Sequence, residues 1–255
     1  MILHGAVSPQ ENYCYEADIY TNIDWHKHLH ACYELIYTIE GYTKVTVDSS
    51  DDFLANGEFL LVPPYTVHSF STDASSKTWI GLFSEDFISS FAKKYANSRF
   101  TKFTCEPQIE KMLAKYLFYR DKPEHYMLTS CLYMVCNECE KNADRKKGIH
   151  SHELEGAVIQ YVTENLHNDV TLSDVAQELG YEYHYLSSLF NDRFSMNFKS
   201  FINLLRYDAA CRMLADKDKD ITTVALECGF GSVRNFNRVF KKMSGMTPRD
   251  YKNQK

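Results

Sequence analysis

The run Trp25-His26-Lys27-His28-Leu29-His30 sets three imidazoles at alternate positions. Alternate side chains of a strand share a face, so the spacing predicts that His26, His28 and His30 are presented together. Grouped imidazoles can bind a metal ion or line a polar pocket by hydrogen bonding. Trp25, Tyr33 and Tyr37 lie close by. Their flat rings suit stacking on a sugar, and equally suit the core of a barrel. A second pair with chemical potential is Cys136-Asn-Glu-Cys139, near Cys131. The CxxC spacing serves redox and zinc chemistry, but no second CxxC follows. The pair falls where the apolar pattern is helical, and residues three apart on a helix share a face, so packing accounts for these thiols. A third feature is charge. The chain carries a net −6, yet residues 229–255 hold Arg234, Arg238, Lys241, Lys242, Arg249, Lys252 and Lys255 against Asp250 alone, a local +6. Such a cluster can contact phosphates even on an acidic chain.

Two kinds of element must position these residues. The first ninety residues read as strands: Tyr33–Ile39, Lys44–Asp48, Phe59–Val62 stopped by Pro63-Pro64, and Thr78–Phe83. Short strands with turn residues between them point to an all-β sandwich or barrel. From Gln108 to Lys141 apolar residues recur at three and four, with Pro123 separating two helices or starting the second. Asn142–Gly148 is polar and ends in glycine, which suits a linker. Beyond it the pattern is helical throughout: Glu153–Leu166, a short helix capped by Thr171 and ending at Leu179, His184–Phe194, Phe198–Leu214, Ile221–Cys228 and Ser232–Met243. A length of 255 residues suits two domains. No apolar run nears the ~20 residues that cross a bilayer. The start Met1–Gly5 lacks the basic and apolar regions of a secretory signal. The eight cysteines mostly sit in apolar segments, as small hydrophobes do. The expectation is a cytoplasmic protein with no membrane partner.

The strongest pattern is internal. Leu172-x2-Val175-Ala176-x2-Leu179-Gly180-Tyr181…Tyr185-Leu186-x2-Leu189-Phe190 recurs as Ile221-x2-Val224-Ala225-x2-Cys228-Gly229-Phe230…Asn235-Phe236-x2-Val239-Phe240. A small alanine lets two helices cross closely, and the glycine supplies the positive φ of a tight turn. The apolar residues pack the second helix on the first and leave its other face for a major groove. Each copy therefore reads as a helix-turn-helix. The intervening helix would span roughly 25 Å, suited to hold two recognition helices near the ~34 Å repeat of the duplex.

From Leu154 to Tyr251 the chain resembles the AraC/XylS family. The resemblance rests on Val175-Ala176, Leu179-Gly180-Tyr181, Tyr185-Leu186, Phe190, Arg206, Ala209, Leu214, and the denser run Ile221…Gly229-Phe230…Phe236-Asn237-Arg238-Val239-Phe240-Lys241-Lys242…Gly245-Met246-Thr247-Pro248…Tyr251. It implies a sequence-specific transcription regulator that binds double-stranded DNA. By this resemblance His184, Ser187 and Ser188 face bases in the first unit, and Val233, Arg234, Asn235 and Arg238 in the second. Lys241 and Lys242 position the phosphate backbone, and Arg206 braces the linking helix. The chain departs from the family at Glu182, Ser188 and Ser195, which implies weaker binding by the first unit.

The N-terminal half resembles cupins. His28-x-His30-x3-Glu34-x6-Gly41 matches the first cupin motif, and Gly57-x5-Pro63-x-Tyr65-x2-His68 the second, with Tyr65 in place of its glycine. The resemblance implies two candidate uses for His28, His30, Glu34 and His68. One is a divalent metal site for zinc, iron or manganese. The other is a metal-free effector pocket, joined by His26 and Tyr37, for a small molecule such as a sugar. The expected fold has two domains: an all-β cupin-like barrel with accessory helices, then an all-α domain with two helix-turn-helix units. Residues 1–95 form the sensing barrel, 96–142 a helical accessory or dimerisation region, 143–150 a linker, and 151–255 the DNA-binding domain. The function expected is a non-enzymatic, effector-responsive regulator. It would act as a homodimer, engaging RNA polymerase if it activates. The alternatives are a metal-dependent cupin enzyme fused to a DNA-binding domain, and a ligand-independent regulator whose barrel only dimerises.

Overall fold

The computed structural model describes residues 15–253 except 31, 48–49, 73–74, 97, 120–122, 148–151, 194–195 and 216–217. Cys14, Ser195 and the end of the expected linker, 148–150, lie outside the described residues. The described chain divides between His152 and Glu153 into two compact units.

The first unit is a barrel of antiparallel strands: β1 (Tyr15–Thr21), β2 (Trp25–His28), β3 (Tyr33–Val47), β4 (Ser50–Ala55), β5 (Glu58–Val62), β6 (His68–Ser71) and β7 (Ser76–Phe83). A 3-10 turn (Glu85–Ile88), α1 (Ser89–Lys94), β8 (Ser98–Phe100), β9 (Phe103–Thr104), α2 (Pro107–Leu113), α3 (His125–Asn142) and β10 (Arg145–Lys147) follow, with a π-helical turn (Ala114–Phe118) extending α2. Strand β3 builds the barrel by serving two partner sets. Its first half pairs with β5 and β7, and its second with β4 and β6. The bend between the halves falls at Gly41, with φ +75°, where a Cβ would meet the Ser75 carbonyl oxygen at 2.0 Å. Only glycine fits that conformation and that approach.

Alternation along β3 sorts the core into two layers. Tyr33, Leu35 and Tyr37 join Phe59, Leu61, Trp79 and Phe83 on the outer face, against the helices. Ile36 points inward with Ile23, Val45, Leu54, Leu60, Val62, Phe70 and Ile80. The apolar stripe of α3, Leu128, Cys131, Leu132, Val135, Cys136 and Cys139, packs on the outer layer. The 96–142 region is thus continuous with the barrel rather than separate from it. The buried CxxC thiols are core residues. Burial pushes Cys136 and Cys139 upward, and Cys105 up to about 12, so none is a ready thiolate. Part of the expected linker is also structured, because Arg145–Lys147 pairs antiparallel with Ser98–Phe100.

The second unit is helical: α4 (His152–Glu164), α5 (Leu172–Leu179), α6 (Tyr183–Arg193), α7 (Phe198–Ala215), α8 (Ile221–Glu227), α9 (Val233–Ser244) and α10 (Pro248–Asn253). Thr171 caps α5 through a full capping box with Asp174. Asp220 caps α8 by accepting from the Thr222 and Thr223 amides, and Ser232 caps α9 through the Asn235 amide. The two copies turn alike. Gly180 and Gly229 have φ +70° and +78°. The amide after each glycine reaches back to the matching alanine, Tyr181 to Ala176 at 2.9 Å and Phe230 to Ala225 at 3.0 Å. Among the described residues no helix is long and apolar enough to cross a membrane.

Candidate DNA-binding face and effector site

In the barrel, β2, the connection from β2 to β3, β3 itself and β6 bring together His28, His30, Glu34 and His68. Their ligand-capable atoms all lie within 4.8 Å of one another. His28 and His68 face each other across the β2–β6 ladder, with ring centroids 4.1 Å apart. Glu34 lies beneath them on β3, fully buried. Its Oε2 meets His30 Nε2 at 3.1 Å and also pairs with His68 Nε2. Its Oε1 is buried with no hydrogen-bond partner among the described residues. Each ring is set by a backbone carbonyl two residues away. Nδ1 donates to His26 from His28 (2.8 Å), to Cys32 from His30 (2.9 Å) and to Thr66 from His68 (2.9 Å). Burial opposes ionisation of Glu34, but the adjacent His68 and His30 outweigh it and hold the carboxyl well below its usual range. Burial likewise opposes the charge on His68, and Glu34 overcomes it and raises His68.

Two sequence-predicted members are elsewhere. His26 is exposed. A β-bulge between Trp25 and His28 breaks the alternation, so Trp25 faces Phe70 while His26 and Lys27 turn outward. Tyr37 is on the opposite face of β3 from Glu34. It stacks between Phe59 (4.4 Å) and Phe118 (4.5 Å), and its hydroxyl donates to Glu110. Tyr33 is on that outer face too, stacked on Phe83. Neither tyrosine is placed to cover a sugar at the histidines.

In the helical unit, α9 buries Phe236, Val239 and Phe240 and exposes Arg234, Arg238, Lys241 and Lys242. The buried set and the exposed set each repeat at three and four, so the helix has an apolar side and a cationic side. Asn235 is half-buried and spends both ends of its amide within the protein. It donates to the Phe230 carbonyl (3.0 Å) and accepts from Arg238 (2.8 Å). The second bond ties it to Arg238, expected with it to face bases. Val233 is half-buried against the same core. On α6, Leu186, Leu189 and Phe190 are buried, while His184 and Ser188 are exposed and Ser187 is half-buried.

Both recognition helices border one concavity of about 870 Å³. Tyr183 and Ser187 of α6 and Asn235 and Arg238 of α9 line it, with Thr171, Asn197, Lys199 and Arg206 between. Arg206 fixes the floor, donating to the carbonyls of Leu166 (3.0 Å) and Asn168 (2.8 Å). Tyr181 and Tyr185, which the repeat places among its packing residues, are exposed together with Tyr183, and the first and last stack with centroids 5.5 Å apart. Three aromatics at alternate positions on a helix entry fall on no single buried face, which was the available clue.

Two family models match the chain. An AraC-like ligand binding domain matches residues 12–105, and a helix-turn-helix domain residues 175–254. An uncharacterized HTH-type transcriptional regulator of Staphylococcus aureus is 32% identical over 129 residues, 51% of this chain and 17% of that protein. The regulator YtdP of Bacillus subtilis, also uncharacterized, is 31% identical over 98 residues, 38% of this chain and 13% of that protein. The chain thus matches less than a fifth of these relatives' length. ToxT of Vibrio cholerae shares the fold at 16% identity and TM-score 0.70, over 94% of this chain and 98% of its own. A second ToxT structure, with TM-score 0.70 and 15% identity over 95% of each chain, has an unsaturated fatty acid bound. With a ligand-binding barrel and a paired helix-turn-helix unit that together match more than half of its length, the chain belongs to the AraC family of helix-turn-helix transcription regulators.

Proposed function

We propose that this protein recognises a specific bipartite DNA sequence with both heads of its helical unit, and that a small effector held at His28, His30, Glu34 and His68 tunes that recognition. The observation that carries the DNA half is the shared concavity: α6 and α9 border it together, and α7, which links the two heads in the chain, is 18 residues or about 27 Å long at 1.5 Å per residue. That length is compatible with successive major grooves on one side of a duplex. In the second head, Arg234 and Arg238 read bases, with Asn235 holding Arg238 in place. Val233 offers an apolar contact to a thymine methyl. Lys241 and Lys242, in the last turn, meet phosphates. In the first head, His184, Ser187 and Ser188 face the bases. The capped N-termini of α5 and α7, at Thr171 and Asn197, add amide donors for the backbone.

The effector half rests on the buried polar cluster. It gathers four titratable side chains in a barrel interior built mainly from aliphatic and aromatic residues. Such convergence of polar groups in an apolar setting marks a binding site. The match of the barrel to a ligand binding domain, on a chain that also matches a helix-turn-helix domain, favours a sensor.

Selection of bound duplexes from a random pool by the full chain tests this directly. The expected result is two short conserved blocks separated by about one helical turn. Arg234→Ala should then lower affinity for the selected duplex by about 1–3 kcal/mol and relax one position of the second block. A pool that yields no preferred sequence would overturn the reading.

A further inference from the structure

We infer that two copies of this protein bind DNA side by side in the same orientation, the tyrosine-bearing flank of the first head in one copy docking on the basic second head of the other. The inference rests on the DNA-binding reading above.

Along α6 and α9 the repeat carries each residue onto the one fifty positions later: Leu186 onto Phe236, Leu189 onto Val239 and Phe190 onto Phe240. Beside this buried stripe each helix has two flanks, and residues three or four apart share one. The first flank holds Tyr183 and Ser187 in α6, and Val233 and Asn237 in α9. The second holds Tyr185 and Ser188 in α6, and Asn235 and Arg238 in α9. The concavity between the heads is lined by Tyr183 and Ser187 from one side and by Asn235 and Arg238 from the other. Unlike flanks face each other, so the heads stand head to tail rather than about a two-fold axis. Such a pair leaves one flank of each member outside it: that of Tyr185 on the first head and that of Asn237 on the second. A head-to-tail arrangement can repeat, because the end of one pair matches the start of the next.

The chemistry of the outer flank on the first head suits protein rather than phosphate. Tyr181 and Tyr185 stack there, 44% and 41% exposed, and neither lines the concavity. Tyrosine is enriched at protein interfaces, where its ring is covered and its hydroxyl finds a polar partner. The same head exposes Asp174, Glu178 and Glu182, and residues 171–190 hold no lysine or arginine, a net −3. Phosphates repel such a surface. Residues 221–244 carry Arg234, Arg238, Lys241 and Lys242 against Glu227, a net +3. First head against first head would set acid on acid, and second against second base on base. The unlike pairing is the attractive one, and cations over tyrosine rings add to it. Flank order and charge therefore select the same partner, a second copy in the same orientation.

The test is a gel-shift titration of the full chain on duplexes carrying the selected site once, twice in the same orientation, or twice inverted. The spacer is stepped one base pair at a time through a helical turn of ~10 base pairs. On sites in the same orientation the second copy should bind about tenfold or more tighter than the first, at one phase of the spacer. Inverted sites should show no such gain. Tyr181→Ser combined with Tyr185→Ser should abolish the gain and leave single-site affinity unchanged. Glu178→Lys combined with Glu182→Lys should abolish it as well. Thermal midpoints of the variants separate a lost contact from lost folding, and the comparison of orientations needs no variant. Equal gains in both orientations, or a gain that survives both double variants, would assign the cooperation to another surface and overturn the proposal. Absence of any gain at every spacing overturns it too. A chain that fails to bind even one site is a failure of the regulator reading, and the tandem contact falls with it.

Discussion

Gly180 and Gly229 occupy the same turn in the two heads but are not equivalent. Both have positive φ, which costs a residue with a Cβ about 1–2 kcal/mol. At Gly180 a Cβ would meet nothing within 4 Å, whereas at Gly229 it would lie 1.9 Å from the Leu166 carbonyl oxygen and 3.0 Å from Arg206 Nε. Gly180→Ala should therefore cost the conformational term alone. Gly229→Ala should cost roughly 3 kcal/mol or more, because backbone must move. Thermal unfolding of the two variants checks this, and equal losses would show that the Leu166 contact is unimportant. The repeat made both glycines legible, since each falls between an alanine and an aromatic in the same register. The extra demand on Gly229 was not, because it comes from a carbonyl sixty-three positions away in sequence. The histidines divide the same way. Their types and spacing announced a site, but the bulge that expels His26 depends on how many residues β2 sets against β6, which residue type does not encode. At Tyr65 the residue departs from the cupin glycine and the backbone keeps the positive φ regardless.

Among elements, α7 is the part that must stay in register with its neighbours. Arg206, midway along it, ties it to the turn after α4 through two carbonyl acceptors. Charged hydrogen bonds of this kind are worth about 1.5–3 kcal/mol each, and lysine cannot serve two carbonyls with the same planar fork. Arg206→Ala is expected to lower affinity for a duplex with native half-site spacing, and to shrink the penalty for one inserted base pair. A uniform loss at both spacings would mark Arg206 as a stabiliser and no more. In the first unit, Glu138 of α3 plays a similar part for α2. Fully buried, it accepts from the Glu106 amide (3.1 Å) and from Asn142, and pairs with Lys141. Burial opposes its charge, and those donors overcome that and hold the carboxyl below its usual range. A carboxyl lowered by folding adds stability that is present above the unfolded value and is lost as pH falls through the folded one. Glu138→Gln should flatten the acid limb of the stability curve, seen as a smaller drop in thermal midpoint between neutral and mildly acid pH. Periodicity revealed α3 and its stripe, yet not the partner of that stripe. The strand Arg145–Lys147 was hidden because three basic residues carry no alternation.

For the molecule as a whole, charge is divided unevenly. Residues 1–150 carry −5 and residues 151–255 carry −1, with +6 gathered in 229–255. The first head presents tyrosines, His184 and serines, and the second presents Arg234, Arg238, Lys241 and Lys242. Affinity and selectivity should therefore come apart between the heads. Counterion release scales with the phosphates neutralised. With the cations concentrated on α9, the slope of log affinity against log salt should be shallow, about −2 to −4. Lys241→Ala and Lys242→Ala should each reduce that slope by about 1 and weaken all sequences alike. His184→Ala in the first head should leave the slope unchanged and blur only the first block of the selected sequence. Anisotropy titrations over a salt series resolve these cases. A slope steeper than about −6 would require phosphate contacts far beyond α9, and would place the electrostatic footprint on a surface that neither head supplies.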